Sequence, residues 1–366
     1  MHPDVVIIGA GVIGTAVAYE LSRRVRARVL VIDKGIPGCE ASNAAAGLLN
    51  VASARARPGA LFSLRRVSAE MFPAWVGELE EETGFEVGYR QRGTLLVALT
   101  GNEMSALREL VALRVAQGLR AELVDVSTTR AMGAGGTSVV GGAFFADDWS
   151  VQSERFVAAL VNASQRRGVF FRLGTTVRGL SAAADHVRVR IDDAEIETGH
   201  VVVAAGAWSG ELMGGCGVKV PVRPARGEML ALRLAGALAG PVLAGNGTYL
   251  IPGESNEVLV GSTNAFAGFD KYVTEAGVAT LRRRATALRP DLEQAPALRA
   301  WAGLRPCATI RRPLIGPLPS WERVLLATGH HRNGILLAPV TATLIADQLL
   351  NHPPVVPTRP FSYRKR

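Results

Sequence analysis

The chain of 366 residues is 48% hydrophobic, with a formal net charge of +9 from 41 basic and 32 acidic side chains. That length predicts a large core and two domains, and no apolar stretch of about twenty residues lacks charges or breakers, which excludes a membrane-spanning helix. The positive excess is mostly arginine spread along the chain without an aromatic-interleaved basic stripe, so nucleic-acid binding is not expected.

The first element is the apolar run Val5-Val6-Ile7-Ile8, which feeds Gly9-Ala-Gly11-Val12-Ile13-Gly14. Asp4 precedes this run, the glycines interrupt it and an amphipathic stretch to Arg24 continues it. It therefore reads as strand, turn and helix rather than as a signal peptide, and the expected location is cytoplasmic. A strand that must turn sharply needs Gly9. Gly11 lets a pyrophosphate approach the main chain, and Gly14 lets the helix pack closely on the strand. A second apolar run, Val29 to Ile32, ends on Asp33, nineteen residues beyond Gly14. A carboxylate there is placed for ribose hydroxyls and argues against a 2′-phosphate. The pattern predicts a bound dinucleotide.

The segment Cys39 to Leu49 is rich in small residues. It fits either a backbone lying against a flat ligand or an ordinary helix start capped by Ser42 or Asn43. A long helix follows. Gly88 to Leu99 reads as strand and turn, Glu103 to Gln117 as a helix, Val139 to Trp149 as β-like, and a helix is expected from Ser153. Arg166 to Glu197 alternates as a β-hairpin with a turn near Asp192-Asp193. His200 to Trp208 is a buried strand ending in glycine. Arg226 to Leu232, Thr248 to Pro252 and Val258 to Gly261 resemble antiparallel strands, followed by a helix from Thr274 to about Leu288. Near the end, Val324 to Gly329 leads into His330-His331-Arg332-Asn333-Gly334-Ile335-Leu336-Leu337. A helix beginning near Gly334 would aim N–H groups and partial positive charge at a ligand there. The basic cluster Arg359 to Arg366 reads as a solvated tail. Cys39, Cys216 and Cys307 are odd in number and scattered, so they read as free thiols, and no metal site is expected.

The glycine turn, the Ser42–Leu48 loop, Arg92-Gly93-Thr94-Leu95, Ala205-Gly206-Ala207-Trp208, Gly303-Leu304-Arg305-Pro306 and Gly329 to Pro339 carry a resemblance along essentially the whole chain. It resembles the FAD-dependent amino acid oxidase superfamily, most closely the glycine oxidases associated with thiazole synthesis for thiamine. The resemblance implies an α/β protein, α+β overall. A Rossmann-like FAD-binding domain (1–84, 147–219 and 303–366) would interleave with a substrate domain on an antiparallel sheet (85–146 and 220–302). It implies non-covalent FAD, held by Gly9, Gly11, Val12, Ile13, Gly14, Asp33 and Lys34, and by Ser42, Asn43, Ala46, Gly47 and Leu48. Val177, Ala205, Gly206, Trp208, Gly303, Arg305, Arg332, Asn333, Gly334, Ile335 and Leu336 complete that set.

The resemblance further implies that Arg305 pairs with a substrate carboxylate, which suits the planar fork of a guanidinium; a structural salt bridge is the alternative. Tyr249 is implied beside the same carboxylate, or is a half-buried core tyrosine. Arg332 is implied either near the carboxylate or ordering its turn. Asn264 stands where glycine oxidases tend to carry methionine, which opens the glycine preference. His330 and His331 are expected to be positional, because hydride transfer from a neutral amine needs alignment rather than a base. Cys307 is near a position that carries flavin covalently in some sarcosine-type relatives, but sits two residues out of register.

The expected activity is oxidative deamination of glycine, sarcosine or a small D-amino acid, with dioxygen as acceptor. A homo-oligomer remains open. The alternatives are a D-amino acid or imino acid dehydrogenase with a non-oxygen acceptor, and a tRNA-modification-type FAD oxidase.

Overall fold

In the computed structural model, which describes residues 2–54, 58–192, 194–236 and 240–364, the run Val5–Ile8 is fully buried and forms a strand. β-branched residues with no polar member suit a strand covered on both faces. Its sheet has six strands in the order Leu314–Leu318, Trp321–Thr328, His200–Val203, Val5–Ile8, Val29–Ile32 and Phe170–Arg172. All neighbours pair parallel except the first two, which form an antiparallel edge. Helices Val12–Arg24, Ala60–Thr83, Ser153–Arg166 and Ala338–Leu349 contribute to one apolar core with this sheet. The opposite face packs on a three-stranded antiparallel sheet, Val177–Ala182, Val187–Ile191 and Glu195–Thr198.

The hairpin expected over Arg166 to Glu197 is therefore something larger. Phe170–Arg172 joins the parallel sheet, and the rest makes a three-stranded meander. Alternation alone does not tell which strand a segment pairs with. Asp192 lies between the last two strands and accepts from Arg178 Nε at 2.7 Å. Asp193 lies outside the described residues, as do Lys365 and Arg366 of the basic tail.

A second sheet has eight strands, in the order Ala297–Ala308, Val222–Arg233, Glu257–Gly261, Thr248–Pro252, Val242–Gly245, Thr94–Ala98, Gly141–Phe145 and Ala121–Val124. It is antiparallel apart from Val242–Gly245 against Thr94–Ala98. Helix Glu275–Leu288 packs on it through Leu281, Ala285 and Leu288, and starts where Thr274 accepts from Gly277 N–H. The helix expected from Glu103 runs Gly101–Ala116, with Thr100 as its N-cap. The chain alternates between the two sheets, so neither is built from one continuous segment. Strand Ala297–Ala308 pairs with Val222–Arg233 from Ala297↔Leu232 to Ala308↔Val222, and the boundary drawn at 303 falls inside it.

Candidate active site

At the glycine turn the backbone contacts are close. Gly9 has φ +108°, and a Cβ there would stand 2.5 Å from Ala204 O; one on Gly14 would stand 1.8 Å from Gly9 O. No side chain fits either position. Gly11 instead opens outward, where an added Cβ would meet only Ser42 Oγ, at 3.3 Å. Ser42 Oγ accepts from Val12 N–H at 2.9 Å, which ties the 39–49 loop to the start of helix Val12–Arg24. The Asp33 carboxylate accepts from Ala10 N–H at 2.6 Å and Gly35 N–H at 2.8 Å, so it also fixes the shape of the turn.

The turn opens into a cleft of about 880 Å³, within the range of ligand sites. Its wall includes Gly9, Gly11, Val12, Ile13, Asp33, Lys34, Ser42, Ala46, Gly47, Leu48, Val177, Ala205, Gly206 and Trp208. It continues through Gly303, Arg305, Arg332, Asn333, Gly334, Ile335 and Leu336, with Tyr249. Three expected residues lie off this wall. Gly14 is packed on Gly9, Asn43 places its Oδ1 against Gly38, and exposed Asn264 bonds His331. Lys34 holds its Nζ 3.4 Å above the ring of Trp208, which stacks in turn on Phe269.

The wall carries Lys34, Arg65, Arg178, Arg305 and Arg332 against Asp33, Glu40 and Glu211. A surplus of cations beside an outward-facing helix N-terminus suits an anionic pyrophosphate. The open Gly11, the helix start behind it and the extended cleft fit a dinucleotide such as FAD.

Arg305 projects from strand Ala297–Ala308. Its Nη1 donates to Thr263 O at 3.0 Å and its Nη2 to Ser262 Oγ at 2.8 Å. The guanidinium lies across Gly227 of the neighbouring strand, where a Cβ would come within 2.1 Å of both terminal nitrogens. Burial pushes the Arg305 pKa down, and the charge of Arg332 acts in the same direction. Arg305 is thus held by neutral acceptors and faces a second cation. Among the described residues it forms no ion pair with a carboxylate. The Tyr249 ring covers Gly261, and its hydroxyl lies 3.4 Å from Met229 Sδ. Burial raises the Tyr249 pKa; the Ser262 hydroxyl and the charges of Arg305 and Arg332 oppose the rise.

Ser262 and Gly227 were not singled out from the sequence as site residues. For Gly227 a signal existed, since a glycine inside a strand often marks a close approach. For Ser262 none did, because its contact spans 43 positions.

The helix expected near Gly334 starts later. His331–Asn333 is a single 3₁₀ turn, Leu337 N–H bonds Asn333 O at 2.8 Å, and the regular helix begins at Ala338. Pro339, at its first turn, is the sequence signal for that start. His330 is buried with Nε2 3.0 Å from Thr341 Oγ1, and burial lowers its pKa to about 3. His331 lies on the wall with Nε2 3.3 Å from Asn264 Oδ1. Burial, Arg332 and Arg305 lower its pKa to about 4. Cys307 is a free thiol and is not among the wall residues. Among the described residues no cluster has the makings of a metal site, and no helix is long and apolar enough to cross a membrane.

A parallel sheet with a dinucleotide turn, interleaved with an antiparallel sheet that supplies a guanidinium, defines a flavin-type oxidoreductase. The family model described as FAD dependent oxidoreductase matches residues 4–348, and the chain belongs to that family. The glycine oxidase of Geobacillus kaustophilus is 33% identical over 98% of this chain and 96% of its own. The bifunctional protein ThiO/ThiG of a Nostoc species is 35% identical over 96% of this chain, which spans 53% of that protein. The crystal structure of the glycine oxidase from Geobacillus kaustophilus matches with a TM-score of 0.95 at 31% identity, covering 100% of this chain and 99% of that one. The resemblance drawn from the motifs, the mixed α/β fold and the FAD dependence are borne out.

Proposed function

We propose that this enzyme oxidises a small α-amino acid of the glycine type to its imine, with FAD held non-covalently in the cleft. Water then gives the 2-oxo acid and ammonia, and dioxygen, as acceptor, becomes hydrogen peroxide. The observation that carries the reading is the pair Arg305 and Arg332, two cations on one cleft wall, with Arg305 held by the neutral acceptors Thr263 O and Ser262 Oγ and in no ion pair with a carboxylate among the described residues. A substrate carboxylate relieves that repulsion and accepts the guanidinium donors left over by Thr263 and Ser262. FAD bound there supplies a two-electron acceptor.

Gly9, Gly11, Val12 and Ile13 hold the pyrophosphate, Asp33 and Val177 the adenosine end, and Gly303 with Asn333 to Leu336 the ring. Thr263 O and Ser262 Oγ fix the plane of Arg305, Gly227 leaves it room, and Tyr249 places a hydroxyl beside it. His331 stays neutral near pH 7 and positions Asn264 at the rim. The substrate amine must arrive neutral, and the clamp contributes alignment rather than proton removal. The similarity to glycine oxidases supports glycine as substrate, and the thiazole role is the one that the motif resemblance implies for its imine. A cytoplasmic location completes the reading.

The test is anaerobic mixing of the yellow protein with glycine, sarcosine, D-alanine and D-proline, followed by air. Bleaching that recovers with peroxide is expected. Bleaching without recovery indicates a non-oxygen acceptor, and no bleaching by any of the four ends the proposal.

A further inference from the structure

Arg65 stands on the cleft wall from helix Ala60–Thr83, and Asn50 and Ala54 line the same cleft. Its Nε is buried with no hydrogen-bond partner among the described residues. Burial and the nearby Arg114 both lower its pKa, and among the described residues it forms no ion pair with a carboxylate. Arg114 is committed elsewhere, donating to Ala52 O at 2.9 Å and Gln117 Oε1 at 2.8 Å. Of the three wall carboxylates, Asp33 accepts the N–H groups of Ala10 and Gly35, Glu40 pairs with Lys271 at 2.9 Å, and Glu211, on helix Ser209–Gly215, forms no ion pair with Arg65 among the described residues. A part-buried guanidinium beside another cation is unfavourable unless an anion meets it.

Ser42 bonds the helix start at Val12, and Ala44 packs so closely on Gly303 that an added Cβ would stand 2.4 Å from its own. Leu48–Leu49 then leads to Asn50 and Ala54. In chain order the loop thus touches the pyrophosphate turn, then the strand that carries Arg305, and then supplies Asn50 and Ala54 to the wall that Arg65 also lines.

We propose that Arg65 is a second anion site of this cleft, through which small amino acids bearing a second acidic group are bound as substrates beside glycine. The proposal rests on reading Arg305 as the anchor of the α-carboxylate. Two separated guanidiniums then hold the two ends of a dianion, whereas glycine engages one. The other source of an anion is the pyrophosphate of FAD, and the variants separate the two.

The wild-type holoprotein and Arg65→Ala, Arg65→Gln and Arg65→Lys would be titrated with acetate, malonate, succinate and glutarate, following the visible spectrum of the bound flavin. Steady-state kinetics with glycine, D-aspartate and N-(carboxymethyl)glycine would run alongside. The expected result is a dicarboxylate preference over acetate of about tenfold or more, the scale of one charge-assisted bond. Arg65→Ala and Arg65→Gln should lose it, and Arg65→Lys should keep part of it. The same substitutions should lower the ratio of kcat/KM for diacid over glycine. Equal weakening of mono- and dicarboxylates, or no preference in the wild type, overturns the proposal. So does release of flavin from Arg65→Ala with the preference intact, which assigns the residue to the FAD phosphates. Should no amino acid bleach the flavin, the oxidase reading fails, and the dicarboxylate titration still decides the role of Arg65.

Discussion

The space above Gly227 is filled by the Arg305 guanidinium, so the smallest side chain there displaces the group proposed to grip the substrate. Gly227→Ala should raise KM for the amino acid by about tenfold or more while flavin absorbance stays, because a misplaced clamp costs affinity and alignment together. Retention of wild-type KM would show that the guanidinium does not hold the substrate. His330 makes a second residue-scale prediction. Its native pKa of about 3 lies below the ordinary 6.5, so between those values the unfolded chain binds a proton that the folded one refuses. Stability contributed by the neutral ring is then complete above about pH 6.5 and is lost as pH falls toward about 3. Thermal melts of His330→Gln at pH 7 and pH 4.5 should show a smaller acid-induced drop in Tm than the wild type; an equal drop would place the acid sensitivity elsewhere.

At the scale of elements, the unit from Val5 to Ile32 depends on close contact between the end of its first strand and the start of its helix. Gly14→Ala brings a methyl to 1.8 Å from Gly9 O, too close for relaxation of one side chain to relieve. That variant should purify largely without flavin and with a lowered Tm, and a yellow protein of unchanged Tm would contradict the close-packing account. Ser42→Ala removes one hydrogen bond to Val12 N–H and should weaken FAD binding by about fivefold, the equivalent of roughly 1 kcal/mol, measured by equilibrium dialysis. This unit was legible in the sequence because strand, turn, helix and acid follow one another closely and each residue type answers a local steric or electrostatic need. The hairpin over Arg166 to Glu197 was only half legible: alternation marks strands, but pairing is chosen by whichever sheet edge lies nearby. The late start of the last helix at Ala338 was marked by Pro339, while the glycine at 334 pointed to an earlier turn.

At the scale of the molecule, the cleft wall is shared. The parallel sheet carries the glycine turn and Asp33 at its strand ends, and the antiparallel sheet contributes Tyr249 and Arg305, with Ser262 just beyond strand Glu257–Gly261. A ligand spanning it binds the folded chain and not the unfolded one, so removing FAD should lower Tm and graded addition should restore it. At a thousandfold excess over Kd the gain is about 4 kcal/mol. A Tm indifferent to FAD would mean that the two sheets are joined without it.

The sequence by itself determined what can be written in short-range terms: the dinucleotide turn, the acid after the second strand, a guanidinium between glycine and proline, and the family they resemble. Only the tertiary structure decided that Gly227 and Ser262 hold that guanidinium, that Asn43 and Asn264 stand off the wall, and that Arg65 reaches the cleft without an anion. Those facts depend on strand register and on contacts between residues far apart in the chain. A side chain's partner there is set by the whole packed core rather than by its neighbours in sequence.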